Sequence, residues 1–134
     1  MNTLQSIQIL LSGIVTGCII FQSAIIAPTI FTVVAVDSRG PILRKVFPKL
    51  FKLTAVLGLA IFLLGFFRHP ESLVSVSVGG FTLLSGVVCD LLVPATNTAK
   101  DSGDDAKFAK LHRLSVILTM AALLANMFWV FLDK

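Results

Sequence analysis

Four long apolar stretches, separated by polar segments, constrain the fold of this chain more than any other feature. They cover residues 4–27, 49–67, 73–93 and 111–132. Each is close to the ~20 residues that an α-helix needs to cross the ~30 Å hydrocarbon core of a bilayer. No water satisfies backbone polar groups there, so helices are the expected spanning structure, and the alternating pattern of a transmembrane β-strand does not occur. We predict an all-α polytopic membrane protein with four transmembrane helices in one bundle, a single domain over residues 1–134.

The composition agrees with a membrane environment. Charged residues make up 13% of the chain and hydrophobic residues 56%. Soluble domains carry about 25% charged residues. In a membrane protein, the net charge of +4 is informative through the positions of the charged residues relative to the spans.

The basic residues fall almost entirely on one side of the predicted membrane. Of the 11 Lys and Arg, all but Arg68 and Lys134 lie in the loops 28–48 and 94–110 or at the helix ends beside them. By the positive-inside rule, both long loops are cytoplasmic, or in the matrix or stromal equivalent, and both termini lie outside. The predicted location is a bacterial inner membrane or an organellar membrane.

The first long loop has an amphipathic pattern. Its apolar residues recur with helical spacing at Ile42, Leu43, Val46, Phe47, Leu50 and Phe51. This pattern predicts an interfacial helix that runs into the second span. Contacts with anionic lipid head groups are expected near Arg44, Lys45 and Lys49.

The helix boundaries have two further signals. Pro28 is expected to end or kink the first helix. The second long loop is polar, and Ser102 or Asp104 is a candidate N-cap for the last helix.

Small residues indicate where helices approach closely. Gly13 and Gly17 form a small-xxx-small pair in the first span, and the third span carries Gly79, Gly80 and Gly86. Such residues let the backbones of membrane helices come together. We expect the first and third spans to make close helix contacts.

A cluster of polar residues is predicted near the cytoplasmic ends of the spans. Asp90 is the ionisable residue nearest a span interior, which makes it a functional candidate. At similar estimated depth, the other spans contribute Gln22, Thr54 and Ser115, and His112 lies above Ser115 on the same helical face. One interpretation is interhelical hydrogen bonding, with Asp90 paired to Lys49, Lys52 or Arg113. The alternative is a site for a small molecule or a lipid.

Several chemistries are disfavoured by the sequence. His69 and His112 lie at opposite ends of the predicted spans, so one subunit cannot supply two histidines to a haem. Cys18 and Cys89 lack CxxC spacing and are expected to be buried apolar residues. We expect neither a cofactor nor a metal. The basic face has no stacking aromatics, so nucleic-acid binding is not expected.

Four short patches resemble the transmembrane protein 205-like family. They are "SGIVTGCIIFQS", "SRGPILRKVFPKLFKL", "CDLLVPATN" and "FAKLHRLS". The family-like positions are Phe47, Pro48, Phe51, Asp90, Pro94, Thr96, Phe108, His112 and Ser115. The resemblance covers most of the chain and implies a four-helix membrane protein whose domain has no assigned function. Relatives carry asparagine at the positions of Asp90 and Thr119, which is a departure here.

Three classes of function remain open from the sequence. We favour a structural or accessory subunit of a larger membrane assembly, with other membrane subunits or further copies of the chain as partners. A small-molecule or lipid binding or transport protein that uses Asp90 and His112 is the alternative. An enzyme with His112 as general base comes last, because no nucleophile or second catalytic group accompanies it.

Overall fold

The computed structural model of the chain describes residues 3–68 and 73–132. All regular secondary structure in these residues is helical. In chain order, the elements are α1 (Thr3–Ile20), a π-helical segment (Phe21–Ile26), α2 (Ala27–Val33), α3 (Val36–Arg68), α4 (Leu73–Asp101), α5 (Asp105–Phe128) and a final 3₁₀ turn (Trp129–Phe131).

Four helical units are long and apolar enough to cross a membrane. They are Thr3–Val33, Val36–Arg68, Leu73–Asp101 and Asp105–Phe131. We refer to Thr3–Val33, which combines α1, the π-helical segment and α2, as the first span. The predicted all-α fold with four spanning helices is confirmed.

The helices extend well beyond the predicted spans. The predicted loops 28–48 and 94–110 are almost entirely helical, and only residues 34–35 and 102–104 connect helices there. Loss of apolar character marks where a helix leaves the hydrocarbon, whereas backbone hydrogen bonding continues past that point. The amphipathic stretch from Ile42 to Phe51 is accordingly part of α3 rather than a separate helix, and Pro41 and Pro48 lie inside that helix.

The first span continues through Pro28 instead of ending there. A proline in a helix lacks an N–H donor and its ring crowds the carbonyl of the residue four before it. A π-helical segment directly before α2 changes the hydrogen-bond pattern ahead of the proline. There the Ala27 amide donates to the carbonyl of Gln22, five residues back. Thr29 Oγ1 also donates to the carbonyl of Ile25, at 2.7 Å.

The connection between α4 and α5 is a tight helical turn. Gly103 has a φ of 71°, a left-handed conformation that glycine adopts without steric penalty. The amides of Gly103 and Asp104 donate to the carbonyls of Lys100 and Ala99, which is the Schellman arrangement at a helix end. Asp104 then caps α5, because its side chain accepts from the amide of Lys107 at 3.0 Å. The prediction of an N-cap at Ser102 or Asp104 is thus confirmed for Asp104.

The helices form an antiparallel bundle in which chain neighbours pack against one another. α1 packs against α3, α3 against α4 and α4 against α5, and α5 returns to α1 and closes the ring. A cluster of Val15, Ile19 and Ile61 forms the apolar centre, with Leu11, Leu57, Met120 and Leu123 around it.

The closest helix contact joins α3 and α4, where small residues face each other. A Cβ added to Gly79 would lie 2.6 Å from the Cα of Phe62, and one added to Gly86 would lie 2.6 Å from the backbone nitrogen of Ala55. From the other side, a Cβ on Gly58 would lie 2.9 Å from the Cα of Leu83. Gly80 is less restricted, since its nearest neighbour is a side-chain carbon of Phe62 at 3.4 Å.

The glycines of the third span make the close helix contacts expected of them, and their neighbour is the second span. The first span packs against the second and fourth, but its two glycines do not make the expected close contact. Among the described residues, a Cβ on Gly13 or Gly17 would meet nothing within 4 Å. The small-xxx-small pattern identifies a flat helix face, but it does not identify the helix that packs against it.

We predict that Gly79→Ala and Gly86→Ala each destabilise the bundle by about 1–3 kcal/mol, the usual cost of overpacking a tight contact. The added methyl group would push α3 and α4 apart at the backbone. The measurement is the free energy of unfolding from a titration with sodium dodecyl sulfate, followed by circular dichroism.

Gly13→Ala is the matched control for these variants. Within residues 3–68 and 73–132, its methyl group meets nothing closer than 4 Å, and alanine is the better helix former. Unfolding of this variant at the wild-type detergent concentration or above is expected. An equal loss of stability in all three variants would contradict the assignment of the close contact to α3 and α4.

Candidate functional site

The half of the bundle near the chain termini contains buried polar side chains that pair across helices. Ser12, Thr82, Asn126 and Trp129 are all at most 3% exposed. Trp129 Nε1 donates to Ser12 Oγ at 2.9 Å, which ties the end of the fourth span to α1. Asn126 Nδ2 donates to Thr82 Oγ1 at 2.7 Å and so ties α5 to α4.

Gln8 links α1 to the end of α3. Its side chain is fully buried, and its Nε2 donates to the carbonyl of Ile61 at 3.0 Å. Its Oε1 accepts from a guanidinium nitrogen of Arg68 at 2.8 Å. The amide of Gln8 and the guanidinium of Arg68 therefore form a hydrogen bond with each other, which lowers the free-energy cost of burying either group.

The sequence analysis did not predict this network, because it selected ionisable residues as the functional candidates. The network could have been predicted from the spacing of the buried positions. Gln8, Ser12, Val15 and Ile19 follow one another on one face of α1, and Ala122 and Asn126 do so on α5. Polar residues at core positions of such a pattern are expected to bond to a neighbouring helix.

A small cavity lies between the helices on the other side of the apolar centre. Its polar lining comes from Thr54, Ser85, Cys89 and Thr119. The volume is about 10 Å³, close to the least that holds one water molecule. Thr119 Oγ1 donates to the carbonyl of Ser115 at 2.7 Å, and Cys89 Sγ lies 3.7 Å from the same oxygen. This cavity is too small for an organic substrate.

The structure does not gather the predicted polar cluster into one site. Thr54 lines the small cavity. Ser115 donates back to the carbonyl of Leu111 at 3.2 Å, within its own helix. Gln22 is buried but lines a different depression, between the first span and α3.

The two ionisable members of the cluster remain outside the interior. His112 is exposed and its ring stacks on Phe108, with 5.7 Å between ring centroids. Asp90 is partly exposed. Among the described residues, it forms neither a hydrogen bond nor an ion pair, so the expected pairing with Lys49, Lys52 or Arg113 is wrong. A lysine at the membrane boundary can reach water with its long side chain, which removes the need for a partner.

Ion pairs connect the helix ends beside the short connections. Arg44 forms a bidentate pair with Asp101, and one of its bonds, from Nη1 to Oδ2, is 3.1 Å. This pair joins the first part of α3 to the last residue of α4. Lys100 Nζ lies 3.8 Å from a carboxylate oxygen of Asp105. Both pairs are largely exposed, so solvent screens them and each contributes little to the stability of the fold.

Four buried polar atoms lack a hydrogen-bond partner in the part of the chain that the structure describes. They are Thr16 Oγ1, Gln22 Nε2, Ser85 Oγ and Asn126 Oδ1. Across residues 3–68 and 73–132, no group of three or more His, Cys, Asp or Glu is placed to hold a metal ion. His69, one of the two histidines considered for haem, lies outside the described residues.

The fold and the network define a class of protein, a multi-pass integral membrane protein built as a four-helix bundle. Residues 10–131 match the sequence profile described as "Domain of unknown function (DUF4149)", and the chain belongs to this family. Comparisons with curated proteins and with solved structures gave no match.

We predict that Trp129→Phe and Ser12→Ala are coupled. Each change removes one partner of the bond between α1 and the end of the fourth span, so the double variant should lose less stability than the sum of the single variants. The expected coupling energy is about 1 kcal/mol, within the range found for hydrogen bonds between membrane helices. Unfolding titrations of the four proteins in sodium dodecyl sulfate measure it.

Additive effects of the two changes would show that this hydrogen bond does not stabilise the bundle. The cycle supplies its own control, because the packing change at each residue cancels in the comparison.

Proposed function

We propose that this protein is a structural or accessory subunit of a larger membrane assembly. The observation that carries the proposal is how the interior polar side chains are used. Gln8, Ser12, Thr82, Asn126 and Trp129 make hydrogen bonds to other helices of the bundle. Polar groups in this role fix helix positions, which suits a scaffold.

The first span supplies a surface for a partner helix. Gly13 and Gly17 are exposed, and in the part of the chain that the structure describes a Cβ at either would meet nothing within 4 Å. Leu10 and Ile14 beside them are 63% and 41% exposed. Two glycines flanked by apolar side chains form a shallow depression along the helix. A spanning helix of a partner subunit, or of a second copy of this chain, would pack closely there.

We also propose the orientation given by the charges. The two short connections near Val34 and Gly103 face the cytoplasm or its organellar equivalent, and the termini face the other side. The support is the excess of Lys and Arg near the short connections, which governs how membrane proteins insert.

The proposed relation to the transmembrane protein 205-like family rests on the short motifs. They are the Phe47, Pro48, Phe51 set, the Asp90, Pro94, Thr96 set and the Phe108, His112, Ser115 set. Phe108 and His112 contact each other through stacked rings, which gives this pair of motif positions a packing role.

The accessory role predicts that the protein co-migrates in fixed ratio with a larger complex when native membranes are solubilised in a mild detergent. Mass spectrometry of the intact complex measures the ratio of this protein to the other subunits. Gly17→Leu should reduce co-migration by roughly tenfold, since bulk in a close helix contact costs about 1–3 kcal/mol and 1.4 kcal/mol is tenfold.

Ser77→Leu is the matched control, because Ser77 is exposed on α4 and the change adds comparable bulk to a different face. It should co-migrate as wild type does. A protein that runs alone, or as a small homo-oligomer, would refute the accessory role.

The proposed orientation predicts opposite labelling at the two ends of the bundle. In a chain whose Cys18 and Cys89 are replaced by alanine, Thr3→Cys should react with a membrane-impermeant maleimide on intact cells or organelles. Lys107→Cys should react only after permeabilisation. Both positions are exposed, so accessibility is decided by the membrane. The reverse pattern would overturn the orientation.

A further inference from the structure

An open groove runs along the outside of the bundle, between the first span and the first half of α3. Its volume is about 350 Å³. The walls are mostly apolar, with Phe21, Ile26, Val46 and Leu53 among them. Phe21 and Leu53 are 54% and 43% exposed, so the groove opens outward toward the surrounding lipid and is separate from the small interior cavity.

One wall of the groove carries an unsatisfied amide. Gln22 lies in the π-helical segment and is only 6% exposed. Its Nε2 has no hydrogen-bond partner within residues 3–68 and 73–132. A carboxamide nitrogen has two N–H bonds to donate, and a buried donor that lacks an acceptor costs free energy. An acceptor oxygen from outside the protein would remove this cost. π-helical segments within membrane or soluble helices are frequent at functional sites.

The opposite wall of the groove carries a cation. Lys49 lines the groove and lies 19 residues before Arg68 in the same continuous helix. At ~1.5 Å per residue, the two residues are ~28 Å apart along the helix, close to the ~30 Å thickness of the hydrocarbon core. This spacing fits Arg68 at one edge of the hydrocarbon and Lys49 at the other, at the level of the lipid head groups.

The neighbouring cations are not equivalent to Lys49. Arg44 is held by Asp101, so its charge is already neutralised by a carboxylate. Lys45 is exposed and does not line the groove. Of the three basic residues at which the sequence predicts lipid contacts, Lys49 alone combines a charge with an adjoining apolar wall.

We propose that this groove binds one anionic glycerophospholipid. The Lys49 ammonium and the Gln22 carboxamide hold the head-group phosphate, and an acyl chain lies against Phe21 and Leu53. The occupant follows from a positive charge and an N–H donor at the head-group level, above apolar walls that face the hydrocarbon. This site is independent of the proposed accessory role, which rests on the face of α1 that carries Gly13 and Gly17.

The test is lipid retention by the full chain. Wild type and variants are purified from nanodiscs that contain equal amounts of phosphatidylglycerol and phosphatidylcholine, and bound lipid is counted by native mass spectrometry. Wild type should retain one phosphatidylglycerol per chain in preference to phosphatidylcholine. Lys49→Met and Gln22→Leu should each reduce this retention by about tenfold, as expected for loss of a contact to a charged group.

Lys45→Met is the matched control, because it removes the same charge from an exposed position outside the groove. Its retention should stay within about twofold of wild type, as expected for a dispersed surface charge. Leu53→Trp is a second, independent test of binding in the groove. The larger side chain fills the groove and leaves Lys49 and Gln22 in place, so this variant should also lose the lipid. Each variant is checked for a wild-type circular dichroism spectrum, which separates lipid loss from unfolding.

Four results would overturn the proposal. Equal retention of the two lipids would show that charge does not select the occupant, and equal losses in Lys49→Met and Lys45→Met would show only a diffuse surface attraction. A cross-link from Leu53→Cys to a second copy of the chain would show that a protein helix fills the groove. Displacement of the lipid by glycerol 3-phosphate at equal concentration would show that the acyl chain adds nothing.

Discussion

The backbone contact between α3 and α4 is the constraint on which the rest of the bundle depends. At Gly58, Gly79 and Gly86 the two helices approach so closely that a single methyl group would collide with the opposite backbone. In a bilayer the lipid tails are as apolar as leucine, so burial of apolar side chains gives little drive for helices to associate. The close approach of the two backbones drives the association of α3 and α4 instead, because it maximises van der Waals contact between the helices. The hairpin of α3 and α4 then offers a fixed surface for α1 and α5.

The polar contacts of the first and fourth spans depend on that surface. Gln8 of α1 reaches the carbonyl of Ile61 on α3, and Asn126 of α5 reaches Thr82 on α4. Trp129 and Ser12 then join the first and fourth spans to each other. Each bond connects two helices and needs both in register, so the network selects one arrangement of the bundle from the many that apolar contact alone would allow.

The spanning helices could be predicted from the sequence because apolar length is a property of one segment. The N-cap at Asp104 could be predicted for the same reason, since its bond to the Lys107 amide is local. The lengths of the helices could not be predicted from apolar length, because polar residues beyond Pro94 continue the helix. The helix that packs against a small-residue face could not be predicted either. Gly13 and Gly79 have similar sequence surroundings, yet one faces outward and the other touches a backbone. Asp90 and His112 were predicted as site residues because they are ionisable. The buried hydrogen bonds between helices are instead made by neutral side chains at core positions.

The length of the first span has a consequence for the membrane itself. Thr3–Val33 has 31 residues, none of them charged, and at ~1.5 Å per residue it is ~46 Å long. α2 therefore carries apolar side chains, such as the exposed Phe31 and Val33, beyond the level of Lys49 on α3. The two faces of the bundle thus require different hydrocarbon thicknesses. A bilayer meets such a mismatch by thickening locally or by letting the helix tilt, at a free-energy cost that rises with each ångström. A thicker bilayer would therefore cover more of the apolar surface of α2 than a thin one.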